Sequence, residues 1–298
     1  DDSSSDHTAA VARAHGAKVL TCKQVGQMKP GKSNACAYGA QFAQGEWLLF
    51  LDADVQLTDE DSLMKMLTSF SKQDGKGILS IQPYHRIVKL YENLSVIFNI
   101  MVLTGMNVFT VWKDKFKTAG SFGPCILCDK ESYILTGGHE AAEESIMDDF
   151  ALSDVFLAKQ LAVTNYVGRG IINMRMYEEG LKQLMEGWTK NLATASQSTH
   201  RFVMLFIQLW IFGVMMVAVA PILALLTESY VAFGWSIIVY LLYGAHVYVL
   251  ARRAGNFHII VLFLYPFLIV FFTAVFLYSL FRTHVLRSVM WKGRKIKV

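Results

Sequence analysis

Two pairs of acids in this chain stand where carboxylates can do chemistry. Asp52 and Asp54 flank Ala53 at the end of the apolar run Trp47–Leu51. A strand tip that presents paired carboxylates to a cleft can hold a hard divalent cation, Mg2+ or Mn2+, against a diphosphate, because such ions take oxygen ligands from protein and substrate together. The plainer alternative is an Asp that opens a turn. Asp148 and Asp149 open a helical stretch in which Ile146, Met147, Phe150, Leu157 and Leu161 fall on or near one apolar face. The helix dipole favours acids there, yet two adjacent ones beside the Gly137-Gly138 turn exceed what a cap requires. His139 follows that glycine pair, either as a contact to a diphosphate or acceptor or as an ordinary surface-loop histidine. Cys125-Ile126-Leu127-Cys128 lacks a second pair or a histidine at ligand spacing. With Cys22 and Cys36 it reads as reduced, partly buried thiols in a cytosolic domain and not as a zinc site.

These side chains need a frame. Trp47 to Leu51 has no polar residue to meet solvent, so it fits a central parallel strand covered on both faces. Open α/β sheets bind ligands beyond the carboxyl ends of such strands. Around it the pattern alternates: a helix over 8–15, a short strand over 18–22, a helix over 31–43, a helix from the capping residues Thr58–Asp61 to about 72, and a strand over 77–83. That alternation predicts an α/β fold with a Rossmann-like, mostly parallel sheet and helices on both faces. Further on, 120–128 reads as a strand, 130–135 as a short helix, 144–161 as a helix and 171–176 as a last strand. The nearly uncharged stretch 91–112 predicts one long helix, either a buried crossover or a helix on a membrane surface.

The last hundred residues suit another solvent. Three apolar runs, 202–227, 230–251 and 257–281, each exceed the roughly 20 residues that span a bilayer core. Residues 201–298 carry nine Lys and Arg against the single acid Glu228, whereas the first two hundred are net acidic. Arg201, the pair Arg252-Arg253 and the basic tail all call for the cytosolic side. Three full crossings cannot satisfy all of them. Either the tail lies outside, or one run is re-entrant or interfacial, with Pro266 pointing to the third. Before the first run, 178–194 is amphipathic, with Leu181, Leu184, Met185 and Trp188 on one face, and suits the headgroup region. The expected division is an α/β domain over 1–177, an amphipathic interfacial helix over 178–200, and a transmembrane region with a basic tail over 201–298.

Taken in order, Asp1-Asp2, Gly31-Lys32-Ser33-Asn34-Ala35, Asp52-Ala53-Asp54, Asp148-Asp149 with Leu152, and Gly187-Trp188 resemble the motifs of the family 2 glycosyltransferases, over nearly the whole chain. That family carries the GT-A fold. The stretch from Arg175-Met176-Tyr177 to Asn191, the membrane tail and Trp291-Lys292-Gly293-Arg294 are similar to its membrane-bound branch that glycosylates carotenoid acids, with hopanoid-associated relatives. The resemblance implies that Asp1 and Asp2 contact the uridine and that Lys32 and Asn34 lie along the nucleotide. It implies that Asp54 ligates Mg2+ or Mn2+, with Asp52 nearby at the metal, ribose or donor sugar. Asp149 would be the catalytic base, paired with Asp148, and Trp188 would line the acceptor side, where His139 is a further candidate. The implied reaction is inverting transfer of a hexose, glucose foremost, from a UDP-sugar to a lipid or isoprenoid acceptor such as a carotenoid acid. The implied setting is a multi-pass protein of the cell membrane whose catalytic domain faces the cytosol, with no nucleic-acid partner. A glycolipid or polyprenyl-phosphate glycosyltransferase and a non-catalytic, transferase-like membrane scaffold are the alternatives. Three departures stand out. Asp148 replaces the usual Glu; Gly187 replaces an Arg before the Trp, which argues against polymer synthesis; and the strand expected ahead of Asp1-Asp2 is missing, so the chain reads as N-terminally truncated.

Overall fold

A computed structural model of the chain describes residues 1–22, 31–142, 145, 147–286, 288–291 and 294–297. Glu144 and Ile146 of the expected 144–161 helix, and Lys292 and Gly293 of the closing motif, lie outside the described residues. In chain order the first elements are α1 (Thr8–Ala14), α2 (Lys32–Phe42), β1 (Trp47–Leu51), β2 (Val55–Leu57), α3 (Ser62–Ser71), β3 (Ile78–Gln82), β4 (Tyr84–His85), α4 (Val96–Gly105), β5 (Cys125–Asp129) and α5 (Lys130–Leu135). They are followed by α6 (Asp148–Ala158), β6 (Val163–Val167), β7 (Ile172–Met174), α7 (Leu181–Ser198), α8 (Arg201–Leu226), α9 (Tyr230–Ala254), α10 (Val261–His284), β8 (Ser288–Trp291) and β9 (Arg294–Lys297). Two compact units result: residues 1–52, 67–80 and 120–164 form one, and residues 53–66, 81–119 and 165–298 the other.

The first unit has the α/β organisation expected of a GT-A domain. Its sheet order is β1-β5-β3-β6. β5 runs antiparallel to both neighbours, with Leu48 opposite Cys128 and Leu79 opposite Leu127. Ile78 N donates to Ala162 O, and Gly168 N to Gln82 O, each at 2.8 Å, so β3 and β6 run parallel. Three strands thus share one direction and a single reversed strand is inserted among them. That insertion changes which strand is central. All five residues of β5 are buried, because Cys-Ile-Leu-Cys can be covered on both faces. Among the described residues β1 instead ends the order, and its Leu51 is exposed. The expected strand over 18–22 does not form: the segment is held by Asp1, whose amine donates to Leu20 O at 2.7 Å and whose carbonyl accepts from Cys22 N at 3.0 Å, and Lys18 lies over the Phe42 ring. Ala40, Leu48, Ile78, Ile126, Leu152 and Phe156 close the core between sheet and helices.

The second unit is organised around α4. The expected long helix over 91–112 is broken into a 3-10 turn, Leu90–Ser95, then α4. Beyond α4, Asn107 adopts φ 68° and its side-chain amide donates to Lys117 O at 2.9 Å, turning the chain. Val96 to Met101 are all buried, which selects the buried alternative: an apolar helix needs cover all round, and here α7, α8, α9 and α10 supply it. Arg175 fastens the approach to α4, giving Nη2 to Glu92 Oε1 at 2.8 Å and Nε to the same oxygen at 3.2 Å, while Val88 N and Lys89 N donate to Glu92 Oε2. A buried carboxylate this fully bonded keeps its charge.

α7 forms, but its inward face is rotated from the expected one. Leu184, Trp188 and Leu192 are buried, whereas Leu181 and Met185 are 45% and 39% exposed. Trp188 therefore does not sit among headgroups. It stacks on Phe98 with ring centroids 4.8 Å apart and donates to Ser95 Oγ at 3.0 Å, since α4 and its preceding turn offer both an aromatic face and an acceptor. A Cβ at Gly187 would lie 2.2 Å from the Tyr177 ring. That contact leaves no room for an arginine before Trp188. α8, α9 and α10 have 26, 25 and 24 residues and are long and apolar enough to cross a membrane. α10 is continuous through Pro266, which falls near its start and not at its middle because residues 257–260 precede the helix.

Candidate active site

Four pieces of the first unit bring charge together: the start of α2, the end of β1, the loop 120–124 and the start of α6. Lys32, the first residue of α2, places Nζ 2.6 Å from Asp52 Oδ1 and donates to Gly123 O at 3.4 Å. Burial pushes this ammonium down, but Asp52 and Asp148 outweigh it and hold Lys32 above its ordinary value. Asp52 N donates to Pro124 O at 2.9 Å, so the strand end is pinned by the same loop that Lys32 touches. Ser33 Oγ donates to Asp148 Oδ2 at 3.4 Å.

Asp149 is seated on that loop from the other side. Its Oδ2 accepts from Gly123 N at 3.0 Å and its Oδ1 from Phe150 N at 3.1 Å. Ser121 and Ser153 hydroxyls donate to its carbonyl at 2.8 and 3.0 Å. A Cβ at Gly123 would stand 3.0 Å from Asp149 Oδ2, so glycine is what lets main chain and carboxylate approach. Burial first, and the charge of Asp148 second, push Asp149 up to about 6, against the pull of Lys32 and the two amides.

A carboxyl whose pKa is raised in the folded protein is protonated more readily there than in the unfolded chain. Asp149 therefore costs the fold stability as pH rises from its ordinary value of 3.8 to about 6. Over the same window the basic form accumulates. If Asp149 is the base that the resemblance implies, transfer to a hydroxyl acceptor should lose activity as pH falls through about 6. Asp148→Asn, which removes the neighbouring charge, should move that acidic limb to lower pH, as a kcat/KM against pH profile would read. An unmoved limb would separate the profile from this carboxylate pair.

The other expected residues distribute as follows. Asp2 Oδ2 accepts from Gly31 N at 2.8 Å, next to the start of α2, and Asp1 Oδ1 accepts from Ser4 N. Asn34 lies on the first turn of α2, beside Lys32. His139 is not on a surface loop: it is buried, with Nδ1 3.0 Å from Tyr133 OH and its ring edge-on to Phe50 at 4.7 Å. Burial lowers it to about 4, so it is neutral at pH 7. Cys22, Cys125 and Cys128 are buried thiols outside any disulfide, and burial pushes Cys36 up to about 11 and Cys125 up to about 12, so both stay protonated. Asp54, exposed in the turn before β2, and Trp188 belong to the second unit.

The donor types fit a hard cation held jointly with substrate. Among the described residues no group of three or more His, Cys, Asp or Glu stands in a metal-binding arrangement. Mg2+ in particular is commonly held by one or two carboxylates together with substrate phosphates. Asp54 offers an exposed carboxylate for this, while Asp52 is engaged by Lys32. The loop 120–124, which holds Asp149, Asp52 and Lys32 through main-chain atoms, is the functional element that sequence reading absorbed into a strand. Its signal was Gly120-Ser121-Phe122-Gly123-Pro124, two glycines and a proline that mark a turn with close backbone approach.

Residues 1–133 match the family model described as Glycosyl transferase family 2. The whole chain is 39% identical to 4,4'-diaponeurosporenoate glycosyltransferase of Staphylococcus aureus strain MRSA252, covering 80% of that protein. It is 38% identical to the protein of the same name from strain bovine RF122 / ET3-1, with the same coverage. Among solved structures, glucosyl-3-phosphoglycerate synthase from Mycobacterium tuberculosis, in complex with Mn2+, UDP-glucose and phosphoglyceric acid, is similar at a TM-score of 0.43 and 19% identity, over 66% of this chain and 65% of that one.

Proposed function

Because this chain belongs to glycosyltransferase family 2, we propose that it is an inverting, metal-dependent hexosyltransferase that moves glucose from UDP-glucose to the carboxylate of a carotenoid-type acid in the membrane. The observation that carries this reading is the seating of Asp149 on Gly123, beside the Lys32–Asp52 pair. The name borne by relatives that match the whole chain supports the acceptor. The basic residues at the ends of its apolar helices support a catalytic domain on the cytosolic side.

In this reading Asp1 and Asp2 hold the uridine, and Lys32 turns from Asp52 toward the diphosphate when the donor binds. Asn34 lies along the nucleotide. Asp54 holds Mg2+ or Mn2+, which when bound neutralises charge on the departing UDP. An acceptor carboxylate oxygen attacks the anomeric carbon as the bond to the β-phosphate oxygen breaks, and the electron pair leaves with UDP. No proton has to be removed from an ionised carboxylate, so Asp149 orients it; for a hydroxyl acceptor Asp149 takes the proton. Trp188 serves the acceptor side through the packing of α4 and α7.

Membranes containing the full chain, given labelled UDP-glucose and a carotenoid acid, should yield label in an extracted lipid that alkali releases, as a glycosyl ester does. Label only in an alkali-stable lipid would reassign the acceptor to a hydroxyl. Label in no lipid would reject the transferase reading.

A further inference from the structure

α8 and α9 pair as one hairpin, and α10 does not extend it. Trp210 Nε1 donates to His246 Nε2 at 3.3 Å, Tyr243 OH donates to Trp210 O at 3.2 Å, and Gly213 lies against the Tyr243 hydroxyl. These partners are spaced evenly about the 227–229 turn, as in two antiparallel helices joined there. α10 meets α9 where Leu262 lies against Gly244, Tyr265 stacks on Tyr243 with centroids 6.1 Å apart, and Tyr240 bonds Phe263 O and Tyr265 OH. A continuing antiparallel partner would next cover residues 230–239, yet Trp235, Ile238 and Val239 are exposed. Instead α10 turns to α4 and α7. Phe271 and Phe272 pack on Phe98 with centroids 6.0 and 5.0 Å away, and Ser279 Oγ donates to Thr189 O at 2.7 Å.

The placement of α4 fixes what this means. The turn leading into it is tied to the segment after α9, where His258 N donates to Asn93 Oδ1 at 2.9 Å. Its other end is tied to the start of α8, where Thr199 Oγ1 donates to Gly105 O at 3.1 Å and His200 N to Asn107 Oδ1 at 3.0 Å. Those two points are the legs of the hairpin at one and the same end, marked by Arg252-Arg253 and by Arg201. α4 therefore runs from leg to leg, along the membrane plane, and α10 rides on it and on α7. The buried stripe of α10, from Tyr265 through Leu268, Phe272, Val275 and Ser279 to Thr283, continues to the end of the helix. The opposite face, with Phe263, Phe267, Val270, Leu277 and Phe281, is exposed.

We infer that α8 and α9 are the two crossings and that α10 does not cross: its outward face is a docking surface for the acyl region of one leaflet, the leaflet on the side of Arg201 and Arg252-Arg253. Charge selects this occupant. Arg282 and the five Lys and Arg after it (Arg287, Lys292, Arg294, Lys295, Lys297) then fall on the same side as the other basic groups, as the positive-inside preference requires, whereas a third crossing would put them opposite. A helix with one face on protein and the other apolar suits burial in a single leaflet. The inference does not rest on the transferase reading.

The full chain in cell membranes carries the test, with Ser229→Cys, Arg253→Cys and Lys297→Cys each labelled by a membrane-impermeant maleimide before and after the cells are opened, against the parent chain. Ser229→Cys should react on one side, and Arg253→Cys and Lys297→Cys both on the other. Lys297→Cys reacting on the side of Ser229→Cys would overturn the inference. Where a cysteine variant does not accumulate, an epitope placed after Lys297 and probed with antibody on intact and opened cells gives the same two outcomes.

Discussion

Asp149→Asn should lower kcat for transfer to a hydroxyl acceptor by about 10²–10⁴-fold, the range a positioned general base contributes, while leaving measurable transfer to a carboxylate acceptor. The contrast follows from where the acceptor proton is. A hydroxyl keeps its proton near neutral pH, and Asp149, raised to about 6 by burial and by Asp148, is the group that receives it in the proposed reaction. A carboxylic acid has already lost its own. The asparagine keeps one oxygen for Gly123 N but turns its NH2 toward Phe150 N, so a thermal unfolding measurement on the variant separates a loss of seating from a loss of proton transfer. Parallel kinetics with two acceptors differing only in that group make the measurement. Full activity of Asp149→Asn on the hydroxyl acceptor would remove the base assignment.

Asp54→Ala should cost turnover about two to three orders of magnitude, the several kcal/mol that a metal on a departing phosphate supplies. Excess chelator should do the same to the parent chain, and Mg2+ or Mn2+ should restore it there but not in the variant. Asp52→Ala should behave differently. It frees Lys32, whose ammonium is now 2.6 Å from Asp52, for the diphosphate, and so should change KM for the UDP-sugar more than kcat. Undiminished turnover of Asp54→Ala at saturating donor, or indifference to chelator, would take the cation away from that position.

Local pattern announced much of this architecture and long-range pairing the rest. Trp47–Leu51 ends at Asp52 as a strand because its five apolar residues admit little else; Lys130–Leu135 and the acids opening α6 were equally plain, as were three helices of membrane length. What composition did not carry was partner choice. That β5 runs backward between β1 and β3 depends on Cys128 finding Leu48 and Ile78, residues far apart in the chain. The burial of His139 depends on Tyr133 and Phe50, and the rotation of the α7 face on Phe98. At the site, the acids and Lys32 were legible as side-chain types. The loop that aligns them works through main-chain atoms of Gly123 and Pro124, which leave no polar side chain to notice.

The interleaving of the second unit sets a timetable for biosynthesis. α4 is complete in the nascent chain well before α9 and α10, the helices that cover Val96 to Met101, have been made. At roughly 5–20 residues per second, the interval lasts several seconds or more. Throughout it, α4 lacks part of its native cover, α7 and α8 arriving first and α9 and α10 last. Ribosomes translating this chain must therefore deliver α4 into keeping, by a holding chaperone or by the bilayer surface itself, until the later helices arrive. The first unit faces no such wait for membrane helices, since its sheet and core are drawn from residues up to 168.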